Sequence, residues 1–77
     1  MKINGAEVSL EDCRKVYLSN CWEWLEVAEQ RSGRLKRKAN ELANAWQNAA
    51  LAIAEGEEKA EFFRQYAVRM ARAYPRS

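Results

Sequence analysis

The sequence predicts an all-α protein: a three-helix bundle, or a helical hairpin carrying a third helix, behind a short N-terminal arm. Apolar residues recur at three- and four-residue steps over residues 10–28, 35–53 and 62–74, the spacing that lines one face of an α-helix. Gly33 and Gly56 fall in the two gaps and Pro75 follows the third stretch, where helix-ending residues belong. The gaps are short, so consecutive helices are expected to be antiparallel neighbours in one domain of 77 residues.

Residues 1–8 read as the arm. Ile3 and Val8 flank Asn4-Gly5, the preferred pair for a tight type I′ turn. An isolated hairpin of that size is unstable, so Ile3 or Val8 is expected to rest on the helices. The first helix, residues 9–32, opens with Ser9 as N-cap and Asp12 three residues on, a variant of the capping box. Val8 and Cys13 stand at the two positions of a hydrophobic staple. Glu11 and Asp12 complement the positive end of the helix dipole, and Gly33 is placed to end the helix in the left-handed conformation. Leu10, Cys13, Tyr17, Cys21, Trp24 and Ala28 form the main seam. Leu18, Trp22 and Leu25 form a second row, rotated roughly 60–100° from it. A helix apolar over so much of its circumference either sits at the centre of the bundle or touches a second molecule.

The second helix, residues 34–55, carries Leu35, Ala39, Leu42, Trp46, Ala49 and Ile53 in alternating steps of four and three. Ala43, Ala45, Ala50, Ala52 and Ala54 permit close approach of neighbours. Asn40, Asn44, Gln47 and Asn48 make an amide strip that is either solvated or turned toward a partner. Gly56 ends this helix or weakens one longer rod, since a single glycine costs only about 1 kcal/mol within a helix. The third helix, residues 57–74, starts with Glu57-Glu58 and stops before Pro75. Phe63, Tyr66 or Ala67, Met70 and Tyr74 are its expected core face, with Phe62 off that seam.

Composition narrows the function. A core this small predicts modest stability, and oligomerisation is the expected supplement because disulfides and metals are not. Histidine is absent, and Cys13 and Cys21 are eight residues apart on one helix. That is roughly 12 Å along the axis, beyond the reach of a disulfide, and two thiolates without histidine make no zinc site. Both are expected to be core residues, and unpaired cysteines favour a reducing, cytoplasmic setting. No signal-peptide segment and no apolar run of membrane-spanning length is visible, so a soluble, complete protein is expected. Without histidine, a phosphate-binding loop or a metal cluster, neither catalysis nor a cofactor is expected.

The net charge of +2 hides a division: residues 1–30 carry six acids and three bases, residues 31–77 ten bases and five acids. Arg31, Arg34, Lys36, Arg37 and Lys38 concentrate five positive charges around the first turn. Positive charge at the start of the second helix opposes the dipole, and a solvated turn, an acidic protein surface or nucleic acid would each account for it. The row Leu18, Trp22 and Leu25 is either extra core or an interface with aromatic anchors and an acidic surround.

In general character the chain resembles the small helical proteins that phages and prophages encode to bind and inhibit a bacterial host protein. The likeness rests on the length, the MKING start, three tryptophans and the split charge. It implies stoichiometric blocking of a partner surface without chemistry. The expected site is Leu18, Trp22, Leu25, Arg31, Arg34, Lys36, Arg37 and Lys38, with a homodimer through the first helix or the alanine-rich face of the second. The alternative is a nucleic-acid-binding regulator using Arg34, Lys36, Arg37, Lys38, Arg69, Arg72 and Arg76.

Overall fold

The computed structural model describes residues 9–74 in full and the backbone of residues 2–3 and 6–7. The chain is all-α as expected, with three helices. In the arm, β1 (Lys2–Ile3) pairs antiparallel with β2 (Ala6–Glu7). The Asn4-Gly5 turn, and the expected packing of Ile3 and Val8, lie outside the described residues.

Helix α1 (Leu10–Gln30) starts as the sequence directs: the Ser9 hydroxyl oxygen accepts the Asp12 N–H at 3.1 Å, satisfying a helix-start donor. Its end differs. Arg31 and Ser32 are both extended, so α1 stops before the expected residue 32. The left-handed residue, Gly33 at φ +61°, opens α2 instead of closing α1. Two extended residues and one left-handed glycine turn the chain back on itself.

Helix α2 (Gly33–Ala52) tightens into a 3₁₀ turn at Ile53–Glu55, shortening the expected α-helix over 34–55. Gly56 then adopts φ +131° and ψ +151°, a region that side-chain-bearing residues avoid. The chain therefore breaks at Gly56 and is not one long rod. Helix α3 (Glu57–Ala73) follows, and Tyr74 leaves it in an extended conformation.

The central helix is α2, which packs against both α1 and α3. The surplus of apolar residues on α1 therefore does not come from a central position. Eight α2 residues are buried, and all but Leu42 and Trp46 are alanine, which lets helices close in from two sides. The alanine-rich face is consequently used inside the molecule, which corrects its expected role at a dimer interface; only Ala54 of that set is exposed.

One core cluster gathers Tyr17, Cys21, Trp46, Ala49 and Ala67, with Leu18 and Leu25 packed against its edge. The second joins Ala28, Ala39, Leu42 and Tyr74. Tilted Tyr17–Trp46 rings at 5.5 Å tie α1 to α2, and edge-on Trp24–Tyr74 rings at 5.0 Å tie α1 to the end of α3. The Tyr74 hydroxyl donates to the Leu35 carbonyl at 3.2 Å. That bond fastens the end of α3 beside the start of α2.

Two expected core positions prove peripheral. Leu10 is exposed, and Tyr66 yields its seam position to Ala67, which is fully buried. The reason is spacing: Ala60 and Ala67 are the buried residues of α3, and Tyr66 is turned about 100° from Ala67.

Candidate binding surfaces

The groups with intrinsic reactivity are inside. Cys13 and Cys21 are free and buried, and burial pushes the Cys21 thiol above its ordinary pKa, away from the reactive thiolate. Among the described residues, no cluster of three or more histidine, cysteine, aspartate or glutamate residues could hold a metal ion. No helix of the described residues is long and apolar enough to cross a membrane. The surface is where a function has to be sought, and three places on it stand out.

The first is the α1 face around Trp22. Trp22 is 66% exposed, whereas Leu18 and Leu25 are half-buried, each sharing itself between the core edge and the surface. The predicted row is therefore one protruding indole with a leucine on either side along the helix. At 100° per residue, Glu11, Lys15 and Glu29 lie within about 20° of the Trp22 direction, and Glu26 within about 40°. All four are exposed. The face is an apolar centre with charged ends.

The second is the basic end of the bundle. Arg31, Arg34, Lys36, Arg37 and Lys38 are all exposed. The Tyr74–Leu35 bond returns the end of α3 to the start of α2, while Arg69 and Arg72, also exposed, line the flank of the bundle, Arg69 beside Arg64 and Val68 and Arg72 beside Asn20, Trp24 and Trp46. None of these seven cations forms an ion pair among the described residues, where the pairs are Lys15–Glu11, Lys59–Glu55 and Arg64–Glu61. Arg76 lies outside the described residues. Trp22 precedes Arg31 by nine residues, roughly 13 Å along α1. The two predicted parts of the site are thus neighbouring patches, not one.

The third place was not singled out as a site by the sequence. A groove of about 320 Å³ runs between α2 and α3, lined by Glu41, Asn44, Ala45, Asn48, Phe62, Phe63 and Tyr66. Phe62 is 67% and Tyr66 52% exposed, so two aromatic rings form its outer wall and part of the amide strip forms the other. The signal was present as the i, i+4 aromatic pair Phe62 and Tyr66, of which Tyr66 was read as a possible core residue, and only the approach of α3 to Asn44 and Asn48 makes it a groove.

No known protein family, no curated protein and no solved structure matches the chain.

Proposed function

We propose that the chain is a non-catalytic protein-binding module, a small phage-type inhibitor or adaptor that acts by stoichiometric binding to a bacterial host protein in the cytoplasm. The observation that carries this reading is the set of five exposed cations, Arg31, Arg34, Lys36, Arg37 and Lys38, at one end of a small bundle, without an ion pair among the described residues. Such an end attracts and orients an acidic partner surface. The exposed Trp22 face supplies the apolar protein contact, since aromatic anchors dominate the energy of interfaces. Reactive groups held inside, and cations left outside, suit occlusion of a partner better than chemistry upon it.

The test is capture from host lysate by the full chain, with mass-spectrometric identification, followed by binding of the purified partner. Reversing Lys36, Arg37 and Lys38 to Glu should weaken that binding at least tenfold and remove most of its salt dependence. Unchanged binding by the reversed variant rejects the basic end as the contact.

A second reading has one observation in its favour. Arg69 and Arg72 are exposed on α3, whose end reaches the start of α2, and together with the basic turn they would give a nucleic-acid-binding regulator further phosphate contacts. Phosphate-driven affinity is strongest at low salt, so the absence of DNA or RNA binding at about 50 mM salt removes this reading.

A further inference from the structure

We propose that the Trp22 face of α1 is covered by α1 of a second copy of the chain, running antiparallel about a two-fold axis at Trp22. The proposal rests on the reading of this face as a protein contact and names its occupant. The argument comes from how the face is arranged on either side of the indole. Lys15 stands seven residues before Trp22 and Glu29 seven residues after it, each about 10 Å along the axis and within about 20° of the Trp22 direction. In an antiparallel pair related by a two-fold axis, a residue before the centre meets the residue equally far after it on the partner helix. Lys15 then faces the partner's Glu29, and Glu29 faces the partner's Lys15.

The apolar residues obey the same symmetry. Leu18 lies four residues before the indole and Leu25 three after it, turned to the same side by about 40° and 60°. Each leucine meets the other's counterpart, and the two indoles meet at the centre. On the opposite side Ser19 approaches the partner's Glu26, a hydroxyl beside a carboxylate. Toward the ends, Glu11 lies on the same face, and the antiparallel direction carries it toward the partner's basic turn at Arg31 and Arg34. A parallel pair would instead set Lys15 against Lys15 and Glu29 against Glu29, like charges that destabilise an interface. Charge therefore selects both the occupant and its direction. The contact that competes within one chain is slight: Lys15 reaches Glu11 at 3.9 Å with both side chains largely exposed, a pair of little energetic weight.

This pairing gives the small bundle the supplement its limited core calls for. It leaves Lys36, Arg37 and Lys38 of each basic end outside the contact, so the dimer offers two such clusters to an acidic partner.

The experiment is sedimentation equilibrium of the full chain over a concentration series, with circular dichroism as a fold control. Wild type is expected at twice the chain mass, and Trp22→Ala at the chain mass with its helical signal retained, because the indole is largely exposed. Lys15→Glu and Glu29→Lys should each weaken the dimer about tenfold or more. The double variant Lys15→Glu/Glu29→Lys should restore it, since the swapped charges again face their opposites. A wild type that stays monomeric at 100 μM overturns self-pairing, as does a dimer indifferent to Trp22→Ala. A double variant that fails to recover overturns the antiparallel arrangement. If wild type is monomeric while Trp22→Ala loses capture of the host partner, the self-pairing alone has failed and the protein-binding reading stands. If Trp22→Ala changes neither mass nor capture, both have failed at this face.

Discussion

The Tyr17 hydroxyl is buried in the core with no hydrogen-bond partner among the described residues. Its ring is fixed against Trp46, so the oxygen is held where the packing of the ring puts it. An unsatisfied buried hydroxyl costs about 1–3 kcal/mol, and removing it while keeping the ring should recover part of that. Tyr17→Phe is therefore expected to stabilise the protein by about 1 kcal/mol in urea unfolding; a clear loss of stability would show that the hydroxyl finds a partner in solution. Burial also raises the Tyr17 pKa, with Cys13 adding to the rise and Arg64 opposing it. Burial raises Cys21 as well. The sign follows directly. Once pH exceeds the unfolded value, the unfolded chain has released a proton that the folded chain retains, so stability declines with rising pH. The decline should begin near pH 9 for the cysteine and continue above about pH 10 for the tyrosine. A Tyr17→Phe/Cys21→Ala variant should show a flatter stability profile above about pH 9, measured by unfolding at a series of alkaline pH values. The same slope in wild type and variant would assign the alkaline loss to other groups.

At the scale of the elements, the sequence was most informative where local chemistry decides. Ser9, Glu57-Glu58 and Gly56 stand at helix ends as their chemistry directs, because a cap, a dipole and a positive φ are set within a few residues. Legibility failed where two segments compete for one end. Ser32 looked like part of the first helix, yet it precedes α2 with no side-chain capping bond. Ser9→Ala is expected to cost about 1 kcal/mol through the lost bond to the Asp12 N–H, while Ser32→Ala should cost no more than a few tenths. Equal losses at the two serines would mean that Ser32 caps in solution. The glycines separate in the same way. Neither would bring an added Cβ into contact with another atom, so any cost is conformational. Gly33 has a positive φ of +61°, a left-handed backbone that costs another residue roughly 1–2 kcal/mol. Gly56 sits where essentially only glycine goes, at up to about 3 kcal/mol. Gly56→Ala should therefore destabilise more than Gly33→Ala in parallel urea titrations, and the reverse order would refute the break at Gly56 as the more demanding turn.

At the scale of the molecule, the misleading sign was size. The large residues of the first helix suggested a central position, but a helix with neighbours on two sides is marked by small residues, and α2 carries them. Likewise, the basic turn was readable from residues 31–38, whereas the return of α3 to it was not. That return places Tyr74 against Leu35, a tertiary fact that no local spacing encodes. The groove beside Phe62 and Tyr66 depends on the same return. The alanine-lined contact thus sets α3 beside α2, and it can be tested directly. Ala49 is fully buried between helices, and close-packed interiors have no room for an isobutyl group. Ala49→Leu must push a neighbouring helix outward, with an expected loss of about 1–3 kcal/mol. Gln47→Leu, two residues away on the exposed side of the same helix, adds a similar apolar side chain where nothing opposes it and should change stability by less than about 0.5 kcal/mol. Comparison of the two by urea unfolding, with far-ultraviolet circular dichroism to confirm retained helix, measures how tightly α2 is enclosed. Equal tolerance of leucine at both positions would contradict a central α2 and, with it, the groove that α3 forms beside it.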